Sequence, residues 1–228
     1  RTIHGINSAD AQLVAELPFS IKTHSSREQV FNPGADAGTC MAILSGYLVR
    51  QITGPASRRH IVSLHVAGDM PDLTSFALRE VQFSLSAIGR VVVAYIPHSA
   101  IKRAIEASPS LGRILWAETL LEGVVQRQWS VLLGQADALA RVSHLICEAR
   151  VRSNIVGLYF GDLLPFPWTQ SDIADACGIS TVHANRVLQE LRARKLITFN
   201  GKEIRILDWN GLQHVAHFSA SYLRVPDD

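Results

Sequence analysis

The sequence predicts an α+β chain in three parts: an N-terminal antiparallel β-roll, one long helix, and a closing pair of short helices followed by a hairpin. Three observations predict it. Short β-forming runs between residues 41 and 96 are separated by breaks that carry Gly and Pro. Ser108-Pro109, a cap followed by Pro at the first helical position, then opens a helix that runs to about Leu133. Residues 169–191, TQSDIADACGISTVHANRVLQEL, read as two helices around a tight turn. The expected divisions are 1–107, 108–136 and 137–228.

In chain order, residues 9–17 suit one short helix ended by Pro18, and Asn32-Pro33-Gly34 is a turn. Runs 41–44 and 47–53 flank Ser45-Gly46, read as a turn, and Gly54-Pro55 opens another. Run 61–66 follows, then a loop over 68–71. Val81, Phe83, Leu85 and Ala87 alternate with Gln82, Ser84 and Ser86, which predicts a strand with one wet face. Gly89-Arg90 is read as the turn into 91–96. Residues 99–107 form a short helix with Ile101 and Ile105 on one side.

The long helix runs to about residue 133, roughly 35–40 Å at 1.5 Å per residue. Ile114, Leu121 and Val124 lie on one side of it and Leu111, Leu115 and Leu132 on another, so one face covers the roll and the other calls for a second copy across residues 109–133. Asp137 caps a further helix over 138–156, with Leu139, Val142, Leu145, Ile146 and Ala149 inward. Asp208 caps a last short helix containing Leu212 and Val215.

The 169–207 segment carries the chemistry. Thr169 with Asp172 is a capping-box start. Gly178 supplies the positive φ of a sharp interhelical turn, and Ser180 caps the second helix. Ala184, Val187, Leu188 and Leu191 repeat at the spacing of a buried face. Opposite them stand Thr181, Val182, Asn185, Arg186 and Gln189, groups suited to base edges: Arg for guanine, Asn and Gln for adenine, a methyl for thymine. Arg192, Arg194 and Lys195 favour the negative end of the helix. Runs 196–199 and 203–207 join through Asn200-Gly201, a strong hairpin signal, with Lys202 at the tip. A helix-turn-helix followed by a basic hairpin is a winged helix.

Composition bounds the alternatives. A length of 228 residues allows one large or two modest domains, and a net charge of +2 requires any nucleic-acid footprint to be a local patch. Cys40, Cys147 and Cys177 are odd in number and far apart, which fits a reducing cytosol rather than a disulfide framework. The longest uncharged apolar run, 91–96, is far too short to span a bilayer. The chain opens with neither Met nor a secretory pattern, so a short leader is expected to have preceded it, and a cytoplasmic location is the simplest account.

The order of roll, long helix, hinge and winged helix resembles the bacterial Crp/Fnr family of transcription regulators over nearly the whole chain. Ile43-Leu44-Ser45-Gly46, Val66-Ala67-Gly68-Asp69, Asp137 and the 169–207 segment carry the resemblance. It implies a cyclic-nucleotide-binding-like roll that senses a small effector, a homodimer, and recognition helices roughly 34 Å apart in successive major grooves. It also implies RNA polymerase as a partner. Base contacts then fall on Thr181, Val182, Asn185 and Arg186, and phosphate contacts on Thr169, Gln170, Ser171, Ser180, His183, Asn200 and Lys202. Val182 stands where the family often has Glu, so the half-site sequence does not carry over.

The sensing half departs further. Leu73 stands about where nucleotide-binding members place a Glu for the ribose, and no Arg-Ser-Ala run for the phosphate occurs; Val81-Gln82-Phe83 lies near that place with Arg79 close by. An anionic phosphate would lose its bidentate partner, so tight cyclic AMP binding is not expected. The iron–sulfur members need a cysteine cluster near the N-terminus, and only Cys40 lies in that half. Asp72, Arg79, Gln126 and Arg127 remain as candidates to meet some other effector. Two further readings stay open: a DNA-binding protein without an effector, and a metal-dependent roll enzyme. Against the enzyme, His60 and His65 fall on opposite faces of a strand, and no nucleophile motif, phosphate loop or dinucleotide fingerprint is present.

Overall fold

A computed structural model describes residues 6–34, 38–54, 57–78, 83–157 and 161–223. The chain forms two compact units, residues 1–50 with 65–124, and residues 51–64 with 125–228.

The first unit begins with α1 (Ser8–Ala15), whose N-cap Asn7 accepts the Asp10 N–H at 2.8 Å. The strands follow: β1 (Ser20–His24), β2 (Gln29–Phe31), β3 (Thr39–Thr53), β4 (Arg59–His65) and β5 (Ser84–Pro97), with α2 (Leu73–Ala77) between the last two. The sheet order is β1-β5-β3-β4, with β2 also on β5. Strands β1 and β2 both run antiparallel to β5, Ser20 opposite Tyr95 and Phe31 opposite Leu85. Helix α3 (His98–Ala107) leads into α4 (Pro109–Gln135), which starts at Pro109 as its sequence predicts.

Two predicted turns are absent. Ser45-Gly46 and Gly89-Arg90 both lie inside unbroken strands, β3 and β5. Gly46 and Gly89 have φ of 84° and 71°, so the strands bend there without reversing. A Cβ on Gly46 would sit 2.4 Å from the Arg90 carbonyl oxygen, so only glycine admits the close approach of the neighbouring strand. The expected wet face is also absent. Ser84 and Ser86 are buried along with Leu85, Ala87 and Ile88, because both faces of this part of β5 are covered. Val81, Gln82 and the Pro55 of the predicted turn lie outside the described residues; Gly54 closes the β3–β4 tip by donating to the Arg58 carbonyl at 2.8 Å.

The second unit is built on α5 (Ala138–Ile155), whose first turn is capped by Asp137 accepting the Ala140 N–H at 2.8 Å. Around it lie α6 (Gln170–Cys177), α7 (Thr181–Ala193) and α8 (Trp209–Ala216), with a small sheet ordered β6-β8-β7 from β6 (Leu163–Pro165), β7 (Ile197–Phe199) and β8 (Glu203–Ile206). Phe166 and Trp168 are fully buried and stack with centroids 5.3 Å apart, filling the core beneath the sheet. Glu148 is wholly buried on α5. It accepts from the Trp129 indole and the Tyr222 hydroxyl, each at 2.8 Å, and lies 3.3 Å from Arg152, so the buried charge is paired and hydrogen-bonded. Among the described residues no helix is long and apolar enough to cross a membrane.

Candidate nucleic-acid interface

Helix α6 starts where the capping-box pattern puts it. The Asp172 N–H donates to Thr169 Oγ1 at 3.2 Å, and Asp172 Oδ2 accepts both the Thr169 N–H at 3.0 Å and its hydroxyl at 2.6 Å. The helix ends at Gly178, left-handed at φ 63°, and the chain turns sharply. Ser180 then caps α7, its Oγ accepting the His183 N–H at 3.2 Å. Ala184, Val187, Leu188 and Leu191 of α7 are buried, as are Ile173 and Ala174 of α6, so the apolar faces that the spacing predicts are the buried ones.

That packing decides what faces outward. Thr181, Val182, His183, Arg186 and Gln189 are exposed, and Asn185 is half-buried. Val182 is 63% exposed, an apolar side chain that no part of the core claims. The first turn of α7 carries no acidic residue, so the partial positive charge of its N-terminus is not neutralised from within. Thr169, Gln170 and Ser171 are exposed at the start of α6. The Thr169 hydroxyl proton is committed to Asp172, whereas no bond of the capping box engages Gln170 or Ser171.

The hairpin predicted at Asn200-Gly201 joins β7 to β8, with Thr198 opposite Arg205 and Phe199 opposite Ile204. Gly201 has φ 88°, and Asn200 Oδ1 accepts the N–H groups of Lys202 and Glu203, each at 2.9 Å. This closure points the Asn200 amide donors and the Lys202 ammonium at the tip, both exposed.

Sequence reasoning missed two features of this unit. Strand β6 pairs with β8, Leu164 opposite Ile204, although its three residues end in Pro165 and carry no strand pattern. Arg59, from the far end of the β3–β4 hairpin, lies 2.8 Å from Asp172 and 3.4 Å from Asp175, and its Nε donates to Gln51 at 2.6 Å. Burial raises the Asp175 carboxyl and the Arg59 charge opposes that rise. No local signal marks a pair 113 residues apart.

Asp72 is fully buried at the start of α2 in the first unit, while Gln126 is half-buried and Arg127 exposed on the part of α4 assigned to the second unit. Arg79 lies outside the described residues. His60 is exposed and His65 buried, and among the described residues no group of three or more His, Cys, Asp and Glu side chains is arranged for a metal. All three cysteines are free and buried, and burial raises the thiols of Cys40 and Cys177 to about 12, where the nucleophilic thiolate is scarce near neutrality.

Comparison with known proteins agrees with this geometry. The Crp-like helix-turn-helix domain matches residues 140–215, from α5 through α8. The nitrogen fixation regulation protein FixK of Bradyrhizobium diazoefficiens is 28% identical over 211 residues, 91% of this chain and 87% of that protein. The transcriptional activator Anr of Pseudomonas aeruginosa is 23% identical over 181 residues, 79% of this chain and 74% of that protein. Among solved structures, FixK2 of Bradyrhizobium japonicum superposes with a TM-score of 0.80 at 21% identity, covering 90% of this chain and all of that one. A CRP-family transcriptional regulator of Thermus thermophilus gives 0.70 at 18% identity, over 87% and 97% of the two chains. At these identities the structural likenesses speak for the fold, and the relatives are transcription regulators rather than enzymes.

Proposed function

We propose that the chain is a transcription regulator of the Crp/Fnr type that acts as a homodimer and reads a two-fold-related DNA site through α7, a reading supported by the Crp-like helix-turn-helix match over residues 140–215 and the likeness to FixK. The observation that carries this reading is the outward row of α7, where Thr181, Val182, Asn185 and Arg186 stand away from a face already packed. An α-helix presented this way fits a major groove, with Arg186 suited to the O6 and N7 of guanine, Asn185 to adenine and Val182 to a thymine methyl. Gln170, Ser171, Ser180, His183, Asn200 and Lys202 border that row and suit phosphates, which set register without reading sequence. Thr169 serves the same end by holding the start of α6 in place through Asp172.

The dimer reading rests on α4. Trp116, Leu120 and Val131 are 66%, 55% and 51% exposed along this helix, a stripe whose burial against a second copy would remove a large apolar area from water. Two copies paired in this way hold two recognition helices, and their orientation is the quantity an effector would bias. RNA polymerase is the further partner, a small effector other than cyclic AMP the control, and the cytoplasm the place of action. The test is selection of bound sequences from a random DNA pool. Enrichment of a site with two inverted halves about one helical turn apart supports the reading. Recovery of unrelated sequences, with affinity set by salt alone, would overturn it.

A further inference from the structure

The first unit gathers charged side chains in a place where an apolar core would cost less. Arg50 of β3 is nearly buried, with its guanidinium 4.1 Å from the centre of the Phe83 ring. It ion-pairs with Glu122 of α4 and donates to the Pro71 carbonyl, one residue before the N-cap of α2. His65 of β4 lies 3.7 Å from the same Glu122 oxygen and 3.9 Å from Asp69, whose Oδ2 accepts the Val66 N–H at 2.9 Å. Asp72 completes the group. Its side chain is fully enclosed, one oxygen accepts the Met41 N–H at 2.7 Å, and the other has no hydrogen-bond partner among the described residues. Cys40 of β3 and Tyr95 of β5 are close enough for the Asp72 charge to raise both.

We propose that the ligand this roll senses is the proton: the cluster of Asp72, Arg50, Glu122 and His65 takes one up on Asp72 and thereby fixes how firmly α4 is held to the sheet. This rests on the reading of the chain as a DNA-binding regulator and names its control. Ionised, Asp72 competes through space with Glu122 for the charge of Arg50, and a carboxylate oxygen without a donor gives up its hydration for nothing. Protonated, Asp72 releases its share, and Arg50 serves Glu122 alone, strengthening the tie between β3 and α4. Burial is the main cause that raises the Asp72 carboxyl, to about 7; the Glu122 charge adds to it, while hydrogen bonds from the backbone N–H groups of Met41 and of Asp72 itself, and the Arg50 charge, oppose it. The change of state therefore falls where a cell's pH varies. Among the described residues, Arg50 of β3, Glu122 of α4, Cys40 and Tyr95 are the charged and titratable groups that interact with Asp72, His65 of β4 reaches it through Glu122, and none donates to the free oxygen.

The test is carbon-13 NMR of the Asp72 carboxyl in the full chain, assigned with Asp72→Asn. The expected midpoint is near neutrality, and a midpoint in the ordinary carboxylate range overturns the proposal. Hydrogen exchange of α4 amides 111–122, corrected for intrinsic rate, gives the coupling. Several-fold slower exchange is expected at about pH 6 than at about pH 8. Asp72→Asn keeps the acceptor for Met41 and cannot ionise, so it should show the slow value at both. Glu122→Gln should abolish the pH response of α4 while Asp72 still titrates, and it stands in if the first variant does not fold. Equal exchange at both pH values in the wild type overturns the coupling. Affinity for the selected DNA, by fluorescence anisotropy, should change with pH in the wild type and not in Asp72→Asn; the same pH response in both overturns the control. A chain that binds no DNA but titrates as expected sinks the regulator reading and leaves the proton site standing.

Discussion

Replacing Asp72 with Asn should remove a pH dependence of stability whose sign and size follow from the burial of this carboxyl. The ordinary Asp value is 3.8, and the folded environment raises it to about 7. Below 3.8 the folded and unfolded chains both hold the proton, and the group contributes no slope. Between 3.8 and about 7 the folded state holds it and the unfolded state has lost it, so stability falls as pH rises. Above about 7 both are ionised and the loss is complete. Each unit of displaced pKa corresponds to about 1.4 kcal/mol, so the full span sets an order-of-magnitude ceiling of roughly 4 kcal/mol. Asn carries no such term. The measurement is urea unfolding of the first unit, followed by exchange of β3 amides, at a series of pH values in both proteins. The wild type should lose stability relative to Asp72→Asn across this window by at least about 1 kcal/mol. Glu28, held near 2 chiefly by its hydrogen bond from the Ser25 N–H, adds its stability above the ordinary carboxylate range and loses it only in strong acid, and it cancels in the difference. A flat difference between the two proteins from about pH 4 to pH 7 would refute the argument.

The remaining predictions concern the DNA-binding half and α4. Arg186→Ala should cost about 1–3 kcal/mol at one base position and relax selectivity there, measured by competition among single-base variants of the selected site; equal losses on specific and random DNA would count against a base-reading role. Lys202→Ala should weaken binding evenly over sequences and lower the slope of log affinity against log salt by about one. Leu120→Glu, which puts a charge in the middle of the exposed stripe of α4, should shift sedimentation from dimer toward monomer and leave the circular dichroism of the monomer unchanged, since the side chain is 55% exposed. Gly178→Val should destabilise the second unit by about 1–2 kcal/mol, because its φ of 63° is strained for a β-branched residue, and a Cβ there comes within 3.3 Å of Leu133.

The helix-turn-helix was legible in the sequence because its determinants are local. Thr169 finds Asp172 three residues away, Ser180 finds the His183 N–H, and Gly178 sets the turn by its own φ. The roll was less legible for the opposite reason. Gly46 and Gly89 look like turn residues by type, yet each bends a long strand, and the cause at Gly46 is the carbonyl of Arg90 from another part of the sheet. Ser84 and Ser86 mimic a solvated face because a small hydroxyl buried at low cost looks the same in sequence as one in water. Strand β1 escaped notice because most of it is exposed at the sheet edge, so no alternation of apolar and polar residues marks it.

The same contrast explains why the sequence speaks plainly about DNA and poorly about control. A recognition helix needs one buried face and one free face, and both can be read from spacing within thirteen residues. A sensing site is assembled from separated positions, here 50, 65, 69, 72 and 122, whose types are ordinary one by one. Asp72 was legible only as a stray acid near a loop, a candidate to meet an effector from outside. Its enclosure suits it to the role proposed above. A carboxyl with no exposed surface and one unpartnered oxygen is not placed to greet an anion or a nucleotide, but it is placed to exchange a proton, the one ligand small enough to reach it. Arg50 gives that exchange a consequence, because its guanidinium holds α2's loop through the Pro71 carbonyl and α4 through Glu122. A change of one charge at Asp72 thus acts on the helix whose exposed stripe is the proposed dimer contact, without any molecule having to enter the roll.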